Sequence, residues 1–373
     1  MLKKKRFLRI FLPVFFITFG VMLLAFIIGA FWLRSYVAPP TVPSVADIAP
    51  PFTDENNSNN FTNQDNSNET IDESDPAFII PQPHPEDAQL GETPSQSNTT
   101  QLERRPNFYT FLLIGLDEGI NADTIMVAAF DAATQQAYLL SIPRDTRVDV
   151  QRNLRKIVVA YPAGWIHGGG HSGGINQLKR EVQTLIGFRP DFYVSVNFDA
   201  FINLVDAVNG VEVYVPFHML YTDPYDDLHI DIPAGLQILD GENALHFARY
   251  RLGNDRRYSI TDYRRMEHQQ QILTSLLSDL MSPRSILLIP HLINSYHTNV
   301  RSSLSLGEKL WFGEQFARSS GITLETHTLP TTGTSGPPNW YEFPDKNRIL
   351  ELINRTINPF TTDITADMLR IAQ

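Results

Sequence analysis

Phe108-Tyr109-Thr110-Phe111-Leu112-Leu113-Ile114-Gly115-Leu116-Asp117 is the stretch that decides the fold. It is an apolar run of strand length, closed by glycine and aspartate, and it predicts a buried strand over 108–115. Residues 124–130 and 137–142 are rich in β-formers and flank a hairpin turn over 131–136. Beyond them, strands and helices interleave. A helix is expected over 176–186, a strand over 192–198, a helix over 200–208 and a strand over 211–215. Further helices fall over 241–249, 263–281, 285–296, 306–319 and 346–357, with a late strand over 322–329. Ser305 and Glu308 form a capping box. The glycines of 164–174 suggest a flexible loop, and Leu329-Pro330-Thr331-Thr332-Gly333 a loop after a strand. The order predicts an α/β fold: a three-layer α/β/α domain with a mixed central β-sheet, over 107–373.

Working outward, the N-terminus sets the compartment. Lys3, Lys4, Lys5, Arg6 and Arg9 precede a run over 10–33 that carries no charge. As a helix that run is roughly 36 Å long, enough to cross a hydrocarbon core of about 30 Å. The basic cluster keeps residues 1–9 in the cytoplasm and the bulk of the chain outside, as a single-pass protein of the cell membrane. A cleaved signal peptide usually has a shorter apolar region. Residues 34–106 are rich in Pro, Asn, Ser and acidic side chains and predict a disordered linker. Twelve acidic residues face two basic ones between Ala38 and Arg105, so most of the formal net charge of −11 lies there. That balance argues against a nucleic-acid partner. The chain has no cysteine, which excludes disulfides and thiolate metal sites.

Within the domain, the helix expected after Asp262 is the most informative. At 100° per residue, Asp262, Arg265 and Gln269 continue the stripe of Leu273, Leu276 and Leu280, whereas His268 falls off it. Charge on a buried stripe requires a partner or a polar cleft. Arg144 and Asp145 emerge at the end of a strand, where α/β sheets place their sites. Arg249 and Arg251 flank Tyr250 and share a face if that segment is extended. Taken singly, each arginine reads equally well as half of a surface ion pair. Asp117 and Asp123 could meet at a strand end, and two carboxylates suit a hard cation such as Mg²⁺.

Together these pieces resemble the LytR-CpsA-Psr family of cell-wall glycopolymer ligases. The resemblance is carried by Leu113-Ile114-Gly115-Leu116-Asp117, Asp123-Thr124-Ile125-Met126-Val127 and Ser141-Ile142-Pro143-Arg144-Asp145. It continues through Lys156-Ile157, Leu239-Asp240-Gly241-Glu242-Asn243-Ala244-Leu245 and Ala248-Arg249-Tyr250-Arg251 to Asp262 with Arg265, Gln269 and Gln270, within a motif core over 107–277. It implies a phosphotransferase that moves a phosphoglycan from an undecaprenyl-pyrophosphate carrier onto peptidoglycan. Asp117 and Asp123 would hold Mg²⁺. Arg144, Lys156, Arg249, Arg251, Arg265 and Gln269 would bind the pyrophosphate, and Asp262 would orient the arginines. Asp145 is the candidate base for the acceptor hydroxyl. Two positions depart from the pattern, since the family usually has arginine where this chain has Asn121 and His268. The alternatives are a non-catalytic module that binds lipid-linked glycan or cell wall, and a pyrophosphatase on the same lipid.

Overall fold

The structure is a computed structural model that describes residues 39–43, 102–117, 120–223, 228–253, 258–280, 300–318 and 321–371. The expected membrane run and the helix expected over 285–296 lie outside these residues. Among the described residues, no helix is long and apolar enough to cross a membrane.

The chain opens with β1 (Phe108–Leu116), β2 (Ala122–Asp131) and β3 (Gln136–Ser141). Helices α1 (Ala160–Gly168) and α2 (Gly170–Ile186) follow, then β4 (Phe192–Val196) and α3 (Phe198–Ala207). Four short strands come next: β5 (Val211–Val215), β6 (Met219–Asp223), β7 (Leu228–Ile232) and β8 (Gly235–Leu239). After them come α4 (Gly241–Arg249), α5 (Asp262–Leu280), β9 (Val300–Ser302) and α6 (Leu306–Arg318). The series closes with β10 (Thr323–Thr328), β11 (Thr331–Thr334), β12 (Glu342–Pro344) and α7 (Lys346–Arg355).

Six strands form one mixed sheet in the order β10-β3-β2-β1-β4-β9. β1 pairs antiparallel with β2 and parallel with β4, so it is central. That explains its unbroken apolar run: it is buried on both faces. Phe108, Leu112 and Ile114 pack into a core with α1, α2 and α7. Tyr109 and Phe111 join the opposite core, built on Trp311 and Phe312 of α6. A third core joins α3, α4 and α5 to the ribbons β5–β8 and β6–β7. Asn197 and Asp240 cap α3 and α4 through the backbone N–H groups of Ala200 and Asn243. The Ser305–Glu308 capping box is present, with reciprocal bonds of 2.7 and 3.3 Å.

Three expectations are corrected. The glycines of 164–174 do not form a loop: they lie in α1, in α2 and at the joint between them. A Cβ on Gly164 would stand 2.4 Å from the Gly173 carbonyl oxygen, and one on Gly173 2.4 Å from that of Gly164. Glycine here permits contact between two helix backbones. Gly173→Val is therefore expected to cost about 3 kcal/mol of stability, read as a drop in the urea unfolding midpoint. The Leu329–Gly333 segment continues into β11, which pairs with β12. The folded part also begins before Asn107, because Arg104 pairs with Asp191 at 2.7 Å and Arg105 with Asp131 at 2.9 Å.

Candidate functional site

The ends of β1 and β4 meet the start of α5 over a cavity of about 430 Å³. Leu113, Val194, Phe201, Leu204, Leu273 and Leu276 supply apolar wall. Asp123, Arg144, Arg249, Arg251, Arg265 and Gln269 line the same cavity. Leu273 and Leu276 of the first set and Arg265 and Gln269 of the second come from the helical stripe read in the sequence. The first two turns of α5 project polar groups, and the next two continue the same face with Ile272, Leu273 and Leu276.

Asp262 is the hub of the polar end. Its carboxylate oxygens lie 3.2 Å from Arg144 Nε, 3.4 Å from Arg251 Nη2 and 3.6 Å from Arg265 Nη2. Arg144 Nη1 also reaches Asp123 Oδ1 at 3.4 Å. Arg144 is placed by a turn after β3, where the Thr146 hydroxyl and backbone N–H both donate to the Pro143 carbonyl. Arg249 ends α4 and lies over the Phe198 ring at 4.5 Å. Arg265 is buried. Burial pushes its pKa down, Asp262 counters that, and Arg144 and Arg251 add to it. Its Nε has no hydrogen-bond partner among the described residues. A buried guanidinium held by long contacts and crowded by other cations matches an anion.

The carboxylates of the β1–β2 end sit beside this cluster. Leu116 pairs with Ala122 and Gly115 with Thr124, so Asp123 is the extra residue of a bulge and Asp117 lies just past the strand. Asn121 fixes Asp117: its backbone N–H donates to Oδ1 at 3.0 Å and its side-chain amide to Oδ2 at 2.8 Å. Asp117 does not line the cavity, whereas Asp123 does. Two hard oxygen donors fit an ion that keeps several waters, as Mg²⁺ does. Among the described residues no group of three or more His, Cys, Asp or Glu side chains could hold a metal.

Two expected site residues stand apart. Asp145 and Lys156 pair with each other at 2.8 Å, and neither lines the cavity. Asp145 emerges one residue after Arg144, so its side chain leaves the turn in a different direction. His268, read as lying off the stripe, does not line the cavity. It is buried, stacked on Phe247 with ring centroids 4.2 Å apart. α4 covers that flank of α5, which periodicity within one helix cannot reveal.

Burial lowers the pKa of His268 to about 4, and that of His171, bonded to the Tyr161 hydroxyl, also to about 4. The unfolded chain therefore takes up these protons first on acidification. Their stabilisation is complete above about pH 6.5 and is lost as the pH falls toward 4, by about 3 kcal/mol for the buried His268 and by less for the half-buried His171. Urea unfolding at pH 7 and pH 4.5 is expected to show this loss, and His268→Phe to remove more than half of it.

The sequence reading missed a brace behind the site. The Tyr263 hydroxyl lies 2.6 Å from Thr331 Oγ1 and donates to Glu342 at 3.1 Å, tying the first turn of α5 to the β11–β12 ribbon. Burial pushes the Glu342 pKa up. Gln270 donates to Ser141 Oγ at 2.9 Å and to the His327 carbonyl at 3.0 Å, fastening α5 to β3 and β10. Of these residues only Gln270 was named in the sequence, in the Gln269-Gln270 pair that carries the family resemblance.

The profile of the LytR_cpsA_psr family matches residues 84–358. The polyisoprenyl-teichoic acid–peptidoglycan teichoic acid transferase TagV of Bacillus subtilis is 28% identical over 277 residues, covering 70% of this chain and 66% of that protein. TagU of Oceanobacillus iheyensis, a transferase of the same description, is 28% identical over 216 residues, covering 57% of this chain and 63% of that one. The chain thus spans slightly less than two thirds of these relatives. The crystal structure of B. subtilis TagV aligns with a TM-score of 0.54 at 25% identity, over 66% of this chain and 95% of that one. The profile match takes in every element from β1 to α7 and all the residues around the cavity, and the chain belongs to the LytR_cpsA_psr family.

Proposed function

We propose that the chain is a phosphotransferase that moves a phosphoglycan from a polyprenyl-pyrophosphate carrier onto peptidoglycan. One observation carries this reading: a single cavity joins an apolar wall to a mouth of arginines and carboxylates. A polyprenyl tail needs the first and a pyrophosphate the second. The relatives described as teichoic acid transferases support the same chemistry.

Arg144, Arg249, Arg251 and Arg265 neutralise the pyrophosphate oxygens, and Gln269 adds a neutral donor. Asp262 holds three of these guanidinium groups on one side. Asp117 and Asp123 would hold Mg²⁺, which supplies further positive charge to phosphoryl oxygens. The acceptor hydroxyl oxygen forms a new bond to the sugar-side phosphorus. The bond from that phosphorus to the bridging oxygen breaks, and the lipid leaves as its monophosphate, which takes up the proton that the acceptor hydroxyl loses. Positioning and charge supply most of the catalysis in such transfers. In this reading residues 10–33 anchor the chain in the cell membrane, with residues 1–9 cytoplasmic and the domain outside.

The test is a transfer assay with the purified full chain, a polyprenyl-pyrophosphate glycan and peptidoglycan oligomers. Mg²⁺-dependent appearance of glycan on peptidoglycan is expected, with loss in Asp117→Ala. Release of glycan phosphate to water alone indicates a pyrophosphatase. Binding without turnover indicates a carrier module.

A further inference from the structure

Residues 39–43 are seated on the domain. Pro40 is buried, and Val42 packs against the cluster of Tyr109, Phe192, Trp311 and Phe312. Pro43 lines a separate pocket of about 320 Å³ with Lys179, Tyr193 and Ser303. Only six residue steps separate Pro39 from Leu33, the last residue of the uncharged run. Six steps span at most about 21 Å. A free tether of about 70 residues has a root-mean-square reach of roughly 45 Å. The docked segment therefore places this cluster close to the end of the anchor.

Two elements report which way the cavity then points. Along α5, Asp262, Arg265 and Gln269 stand at the mouth, Leu273 and Leu276 line the wall, and Leu277 packs against the cluster that Val42 joins. Fifteen helical residues separate Asp262 from Leu277, about 22 Å along the axis. Along β1, Tyr109 at the start belongs to that cluster, and Gly115 near the end lines the cavity. Six strand residues separate them, about 20 Å.

We infer that the domain docks onto the segment following its own anchor, with the apolar end of the cavity toward the bilayer and the charged mouth about 20 Å farther out. This rests on the reading of 10–33 as an anchor. It gives a lipid-linked substrate a direct course: the tail stays on the bilayer side while the pyrophosphate emerges toward the wall. The anchor thereby acts as a mount with a set orientation.

The chain has no cysteine, so single labels report cleanly. The full chain is reconstituted in vesicles carrying an acceptor-dye lipid, with a donor dye on Thr134→Cys in the β2–β3 turn or on Thr261→Cys beside the mouth. Energy transfer is expected to be more efficient from position 134 than from 261. A 20-residue Gly/Ser insertion after Tyr36 should lower both efficiencies. Pro43→Cys with Ser303→Cys should cross-link through a short bis-maleimide in detergent, and Val42→Asp should abolish that. Equal or reversed efficiencies overturn the orientation, and absence of the cross-link overturns the docking. Loss of the chain from alkaline-washed vesicles overturns the anchor, and the orientation with it. None of these readouts measures turnover, so failure of the transferase reading is seen separately.

Discussion

Replacing Arg144 by alanine is expected to slow phosphoglycan transfer by about 10²–10³-fold, the usual loss for one preorganised charge-stabilising donor. Arg144 joins two acidic positions of the site, Asp123 on β2 and Asp262 on α5, at 3.4 and 3.2 Å. Its loss leaves the strand-end carboxylate without that cation and frees Asp262 toward Arg251 and Arg265. The side chain is 21% exposed and lies on a cavity wall, so the unfolding temperature is expected to stay within a few degrees. Arg144→Lys should recover only part of the rate, because an ammonium cannot present the planar fork that reaches both carboxylates. Initial rates at saturating carrier and acceptor check this. A rate for Arg144→Ala within tenfold of the parent would remove Arg144 from the chemistry.

Leu273→Glu is expected to weaken binding of a long polyprenyl pyrophosphate by at least about 100-fold, nearly 3 kcal/mol. A carboxylate on the apolar wall must either lose its water or hold water where the tail belongs, and both are costly. Leu273 is only partly buried, so the variant should fold. A short-chain, water-soluble pyrophosphate glycan uses the mouth alone and should be turned over within a few-fold of the parent. Equal losses for both substrates would place the tail elsewhere.

The two substitutions separate what could be read in advance from what could not. The polar half of α5 was legible, because Asp262, Arg265 and Gln269 break a leucine stripe at helical spacing and a buried charge needs a reason. The apolar half was not. Leu273 and Leu276 look like core in any sequence, and only the gap between α5 and the sheet makes them a wall. Asp145 and Lys156 carry the right charges beside the right motif, yet they pair with each other and do not line the cavity. Asn121 replaces an arginine of the family pattern, and its hydrogen bonds to Asp117 give the amide a holding role there.

The sequence by itself determined the central strand, the alternation of strands and helices, the helix caps, and which residues carry charge at strand and helix ends. These depend on neighbours within a few positions: apolar periodicity, glycine stops and capping side chains. Tertiary structure alone decided that α1 and α2 touch through glycines and that His268 is buried under α4. It also decided that Tyr263 is braced by a ribbon near the C-terminus, that one cavity carries both tail wall and charged mouth, and that Pro40 and Val42 rest on the domain. Apart from the glycine contact, which joins consecutive helices, each of those brings together residues distant in the chain. What a side chain meets there depends on how the layers close, which no local pattern encodes.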